Sequence, residues 1–219
     1  MNRKKTNNFI SLESIYDDSV IWVEKFNDEG LRNFYSKFMK LEADDTVSII
    51  PIFISSYGGY VYTAFAMRDI IKSSPKPVAT IALGKAMSCG AILLASGTPG
   101  YRFASPDTHM LIHEVSSGVV GKTSEIKQET KYIDELNKRL FKRLAIDTGK
   151  SLKAFQKYMH KIKNNDWVLS ARQSKEWGLV DHIMIPRLHD QPSMRMLTTV
   201  RPFSETLSKK SRKKRVKKS

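Results

Sequence analysis

Apolar positions along this chain switch repeatedly between two periods. Val20–Val23 (VIWV) is a short apolar run with strand character, and the next segment, Glu29 to Leu41, repeats at steps of three and four through Leu31, Phe34, Phe38 and Leu41, which predicts a helix. Ile49–Ser55 (IIPIFIS) is a continuous apolar run, as expected of a strand buried on both faces, although Pro51 cannot donate to a ladder. Tyr60 to Lys72 returns to helical spacing through Val61, Ala64, Met67 and Ile71, and Pro75 and Pro77 stop it. Val78–Leu83 predicts a further strand, Gly84 to Ser88 a turn, Ser88 to Ser96 a short helix ended by Gly97 and Pro99, and Thr108–His113 another strand. Ser124 to about Ile146 predicts a long amphipathic helix with a stripe at Ile126, Ile133, Leu136, Leu140 and Leu144, broken by Asp147-Thr-Gly149. A last helix is expected at Ser151 to Lys161, and beyond about Arg187 the pattern fades.

Strands alternating with helices across short loops predict an α/β core with parallel crossovers. Ligands of such sheets gather beyond the C-terminal ends of the strands. Three features occupy such ends: the SSYGG turn, the GKAMSCG turn and His113. No internal repeat is visible. The organisation read from the chain is a short arm over residues 1–19, one domain over 20–187 and an extended basic tail over 188–219.

Composition narrows the classes. A chain of 219 residues with 41% hydrophobic content can build a full core without staples. A single cysteine rules out an intrachain disulfide, in keeping with a cytoplasmic, reducing setting. The basic N-terminus runs into no apolar segment, so no secretory leader is expected. The least polar window, Thr80 to Gly97, contains Lys85, Ser88 and two internal glycines and makes a poor membrane span. Net charge is +15, but the last eleven residues, KKSRKKRVKKS, hold eight of the 37 Lys and Arg. Such a block is ordinarily a solvated tail. It could serve as an anion-binding tether, but no aromatic residues interleave with its charges, and it does not by itself make a nucleic-acid protein.

The chemistry-bearing residues cluster at the strand ends. Ser88 opens a helix, where a serine hydroxyl commonly caps backbone N–H groups; at a strand end it could instead be a nucleophile beside the positive helix terminus. Cys89, next to it, reads as a small buried apolar residue. Serine needs a base, and His113 ends an apolar strand from which it could reach a cleft, though a lone histidine there is commonly structural. Asp166, just before Trp167-Val168-Leu169, could orient an imidazole. Gly58 and Gly59 read as a tight turn or as a source of an N–H aimed at an oxyanion. No Walker motif, GxGxxG or metal-spaced cluster is present, so no cofactor or metal is expected in this chain.

Four segments in one order, ISSYGG, TIALGKAMSCGAILLASG, HMLIHE and NDWVLSARQSKEWGLVDHI, resemble the Clp protease proteolytic subunit, a self-compartmentalising serine peptidase, whose members read I-N-S-P-G-G, G-x-A-A-S-M-G-A, M-I-H-Q-P and D-x-F-L-S-A-x-E-A-x-x-Y-G-L-V-D. The match runs from about Val20 to Ile183 and keeps the family's separation of Ser88 from His113. It implies a ClpP/crotonase-like fold of repeated β-β-α units with a protruding handle helix. It implies that Ser88 is the nucleophile, His113 the base and Asp166 the orienting acid, with Gly59 and Cys89 supplying backbone N–H donors. It also implies a heptameric ring, often two stacked, and an ATP-driven AAA+ unfoldase partner that would be the only user of ATP. Departures are Ser55 for asparagine, Tyr57 for proline, Met87 for a small residue, Glu114-Val115 for glutamine-proline, Asn165 for an arginine, and a longer segment before Asp166. An inactive subunit of the same fold and a crotonase-type acyl-CoA enzyme are the alternative readings.

Overall fold

A computed structural model describes residues 19–163 and 166–186. The expected N-terminal arm, but for Ser19, the basic tail and Asn165 lie outside the described residues. Seven strands form one sheet: β1 (Ile21–Val23), β2 (Ile50–Ser56), β3 (Val78–Met87), β4 (Arg102–Ala104), β5 (His109–Ile112), β6 (Trp167–Ser170) and β7 (His182–Ile183). The helices are α1 (Asp28–Ala43), α2 (Val61–Ser73), α3 (Cys89–Ala95), α4 (Thr123–Thr148), α5 (Leu152–Lys161) and α6 (Ala171–Glu176). Every strand pairing is parallel except that of β5 with β6. The expected α/β class with a parallel core therefore holds. The apolar trio after Asp166 is a strand, one of the two readings its sequence allowed, but the antiparallel pairing of β6 was not expected, nor were β4 and β7, because two or three residues are too few to show a period.

The central strand departs from the expected turn at Gly84 to Ser88. β3 continues to Met87 but changes partners on the way. Thr80, Ile81 and Ala82 pair with β4 at Arg102, Phe103 and Ala104, whereas Lys85, Ala86 and Met87 pair with β5 at His109, Met110 and Leu111. Gly84 sits at the changeover with φ +71°, a conformation cheap only for glycine. Thr108 pins the kink: its hydroxyl accepts from the Gly84 N–H at 3.1 Å and donates to the Ala82 carbonyl at 3.1 Å. Pro51 fits inside β2 because β1 begins its pairing only at Ile52, so no neighbour asks for the missing N–H.

The helices bury the predicted faces. Phe34, Phe38 and Leu41 of α1 and Ala64, Met67 and Ile71 of α2 join the main core. Asn27 caps α1 by accepting from the Gly30 N–H at 2.8 Å, and Gly149 ends α4 at φ +70°. In α4 the predicted stripe divides: Leu136, Leu140 and Leu144 are buried, but Ile126 is exposed and no residue before Leu136 is buried. Phe155, Tyr158, Trp167 and Trp177 pack ring against ring, with Tyr158 stacked on Trp167 at 4.1 Å between centroids. This cluster fastens the start of β6 to α5. No helix among the described residues is long and apolar enough to cross a membrane.

Two ion-pair groups lock the helices to the far end of the sheet. Arg68 of α2 grips Asp147 of α4 with two hydrogen bonds, 2.7 Å from Nε and 2.9 Å from Nη2, and Lys72 adds a contact at 3.1 Å. Arg102 donates to the Asp147 and Gly178 carbonyls and pairs with both Asp181 oxygens. Because Arg68 and Asp147 are both buried, losing one partner strands the other's charge. Asp147→Leu should lower stability by about 3–5 kcal/mol, and Arg68→Leu in the same chain should recover much of that loss; urea midpoints at unchanged slope measure both. Burial pushes the Asp181 carboxyl up, but the Arg102 hydrogen bond and charge outweigh it and hold the group below its ordinary value of 3.8. A depressed folded-state value adds stability that is complete above the unfolded-state value and lost as pH falls through the folded one. Stability should therefore drop as pH falls below about 4, and less steeply in Asp181→Asn, in acid titrations of the unfolding midpoint.

Candidate active site

Ser88 stands alone between β3 and α3 with φ +54° and ψ −118°, a conformation that costs a non-glycine residue about 1–3 kcal/mol. Its surroundings leave little choice. The Ser88 N–H donates to the Leu111 carbonyl of β5 at 2.7 Å, and the Ser88 carbonyl accepts from Ala91 at 3.0 Å. Gly58 presses on the turn from the other side. A Cβ there would lie 2.7 Å from Ser88 Cβ and 3.2 Å from the Cys89 nitrogen, so only glycine fits. The Ser88 hydroxyl makes no cap to α3. It lies 2.8 Å from Nε2 of His113.

Sheet register brings the three candidate side chains together. Met87 is level with Leu111 across the β3–β5 ladder, so Ser88 is level with Ile112 and one position from His113 on the same rim. Ile112 faces Trp167 across the antiparallel β5–β6 ladder, so His113 and Asp166 are the next facing positions. Asp166 Oδ1 is 4.0 Å from His113 Nδ1. That is ion-pair range but too long for a hydrogen bond. The Asp166 side chain is 67% exposed, against 29% for His113. The two ring nitrogens thus face different partners, one at bonding distance and one short of it. No ion pair among the described residues joins Glu114 to His113.

The other named donors sit beside Ser88. The Gly58 N–H is taken by Ser56 Oγ at 3.0 Å, and Ser56 in turn donates to the Glu24 carbonyl at 2.6 Å. Among the described residues no turn or loop carbonyl takes the N–H of Gly59 or of Cys89; both amides lie against the Cys89 sulfur and favour its thiolate. Gly59 has φ +148° and bridges Phe26, whose carbonyl would stand 2.5 Å from an added Cβ. The Cys89 side chain is buried and its Sγ points at the Gly59 carbonyl, 3.1 Å away. Burial pushes its thiol up to about 11, against hydrogen bonds that pull the other way. A thiol so placed is a small core group and a weak donor.

Sequence reading overlooked two parts of this site. Ile92, Ile112, Leu140 and Leu144 line an apolar pocket against Ser88 and His113. Leu140 and Leu144 belonged to a visible stripe, but a stripe does not reveal which of its members stops short of full packing. Ser56, which fixes the Gly58 amide, was hidden inside a turn read only for its glycines.

A family model described as Clp protease matches residues 3–187, most of the chain and all of the described domain. This protein belongs to the Clp protease family.

Proposed function

We propose that this protein is a serine endopeptidase subunit of a self-compartmentalising Clp-type protease, acting on unfolded proteins or peptides. The 2.8 Å contact between Ser88 Oγ and His113 Nε2, at a strained strand-to-helix turn, carries the reading. Ser88 Oγ attacks the peptide carbonyl while His113 Nε2 takes its proton. The N–H groups of Gly59 and Cys89 receive the oxyanion; removing one such donor typically costs about 3–4 kcal/mol of transition-state stabilisation. His113 then gives the proton to the leaving amine, and water, activated by the same imidazole, releases the acyl group. Asp166 closes the remaining gap to Nδ1 and stabilises the imidazolium; catalytic hydrogen bonds are often long before substrate binds. The small apolar pocket of Ile92, Ile112, Leu140 and Leu144 lies beside the attacked carbonyl.

On this reading the subunit works in the cytoplasm as a ring, heptameric by family resemblance, with the exposed first half of α4 meeting a second ring. An AAA+ unfoldase would feed it and would be the only component to use ATP; the chain itself needs no cofactor or metal. The 4.0 Å separation of Asp166 from His113 favours one second reading, an inactive subunit serving as a scaffold. A crotonase-type enzyme needs no serine–histidine pair, and the Ser88–His113 contact weighs against it.

A fluorophosphonate probe on the sized oligomer separates these readings. The peptidase is expected to carry the adduct on Ser88, and an unlabelled Ser88 supports the scaffold. Ser88→Ala and His113→Ala should each lower peptide turnover about 10^4–10^6-fold, and Asp166→Asn by no more than about 10^4-fold. The sole cysteine should resist thiol reagents at pH 8 in the native protein and react fully once denatured, because burial holds its proton. A native thiol titrated by Ellman's reagent would contradict the placement of Cys89.

A further inference from the structure

Two residues where this chain departs in chemistry from its surroundings meet beside the nucleophile. The Lys85 ammonium lies 3.9 Å from the centre of the Tyr57 ring. Tyr57 is 73% exposed, and among the described residues no carboxylate pairs with Lys85. Lys85 is half-buried, and the ring face holds its ammonium in one region by cation–π attraction.

The sheet fixes where this cation stands. Tyr57 leads directly into Gly58, which packs on Ser88, and Lys85 lies in the last stretch of β3 ahead of Ser88. Tyr57 follows β2 directly, and although Lys85 itself is level with His109 of β5, its ammonium reaches over the Tyr57 ring to that β2 flank. His113 and the apolar pocket of Ile92, Ile112, Leu140 and Leu144 lie on the β5 and α4 flank. A peptide whose carbonyl meets the Gly59 and Cys89 amides must run out over both flanks. One side of the scissile bond then meets an apolar pocket and the other an aromatic face carrying an unpaired positive charge.

We infer that Lys85, held by Tyr57, forms a subsite for a substrate carboxylate on the side of the scissile bond opposite the apolar pocket. The inference rests on the peptidase reading. The carboxylate could belong to an aspartate or glutamate side chain or to the free C-terminus of a peptide; the ammonium offers both the same charge and donors. Tyr57 is a positioning residue: its ring keeps the ammonium out of bulk water's competing geometries and gives the substrate's own apolar stem a surface. The subsite selects substrates by charge and adds nothing to the chemical step.

Binding to full-length Ser88→Ala protein tests this apart from turnover. Three fluorescein-labelled peptides of one apolar sequence are compared by anisotropy: an internal Glu with an amidated C-terminus, Gln with a free C-terminus, and Gln with an amidated C-terminus. One or both carboxylate peptides should bind up to about fivefold tighter than the neutral one, and which of them does so identifies the source. The advantage should fade as salt rises, vanish in Lys85→Gln, reverse in Lys85→Glu and survive in Lys85→Arg. Tyr57→Leu should weaken it and Tyr57→Phe should keep it. Equal affinity for all three peptides, undetectable binding included, overturns the proposal, as does a preference that persists in Lys85→Gln. Fluorophosphonate labelling of the wild-type serine judges the peptidase reading separately, so either can fail alone.

Discussion

β3 holds one strand direction but two sets of neighbours, and the site depends on that exchange. Up to Ala82 the strand is held by β4; from Lys85 onward it is held by β5. Gly84 makes the shift, and the Thr108 hydroxyl bridges the backbone on either side of it. Without the shift, β5 would not pair with β3, and the Leu111 carbonyl would not be present to fix the Ser88 amide. The strain stored at Ser88 persists because ladder, helix and Gly58 all define the same geometry. A residue so over-determined cannot relax into an ordinary helix cap. Its hydroxyl is therefore left for His113.

The same ladder logic orders the neighbouring groups by rigidity. Ser88 and His113 follow paired strands directly. Asp166 precedes Trp167, whose ring is locked among Tyr158, Phe155 and Trp177, so the backbone at the start of β6 is anchored. Its carboxylate nonetheless projects into solvent. Anchoring a backbone does not fix a side chain that nothing covers, since side-chain entropy favours the open arrangement in water.

Much of this was legible in the sequence, and the reasons are local. The periods of α1 and α2 are long enough to be read, and their predicted faces are the buried ones. The proline-bearing run Ile49–Ser55 read as a buried strand because six of its residues are apolar or small; what could not be read was that Pro51 lies beyond the reach of β1. The turn expected over Gly84 to Ser88 became strand because a glycine can mark a kink inside a strand as well as an end. β4 and β7 are too short to carry a period, and their pairing depends on Arg102 and Asp181, partners far apart in the chain. Ser88 and His113 were found by type and position. Their contact is a property of ladder register, which no composition or spacing encodes without the pairing itself.

Cys89 illustrates how position overrides chemical type. As a free residue, a thiol is a far better nucleophile than a hydroxyl at neutral pH. Here the chain turns so that residue 88 faces the imidazole and residue 89 faces the core, where burial holds the proton on sulfur. Its thiol spends its one weak hydrogen bond on the Gly59 carbonyl. The more reactive atom is thereby the more inert, and the weaker nucleophile stands beside the base. Exchanging the two residues would not exchange their roles: a serine at 89 would be a buried hydroxyl against the same carbonyl, and a cysteine at 88 would meet His113. Reactivity at this turn is thus assigned by the φ of one strained residue and by the glycine packed against it, before side-chain chemistry enters.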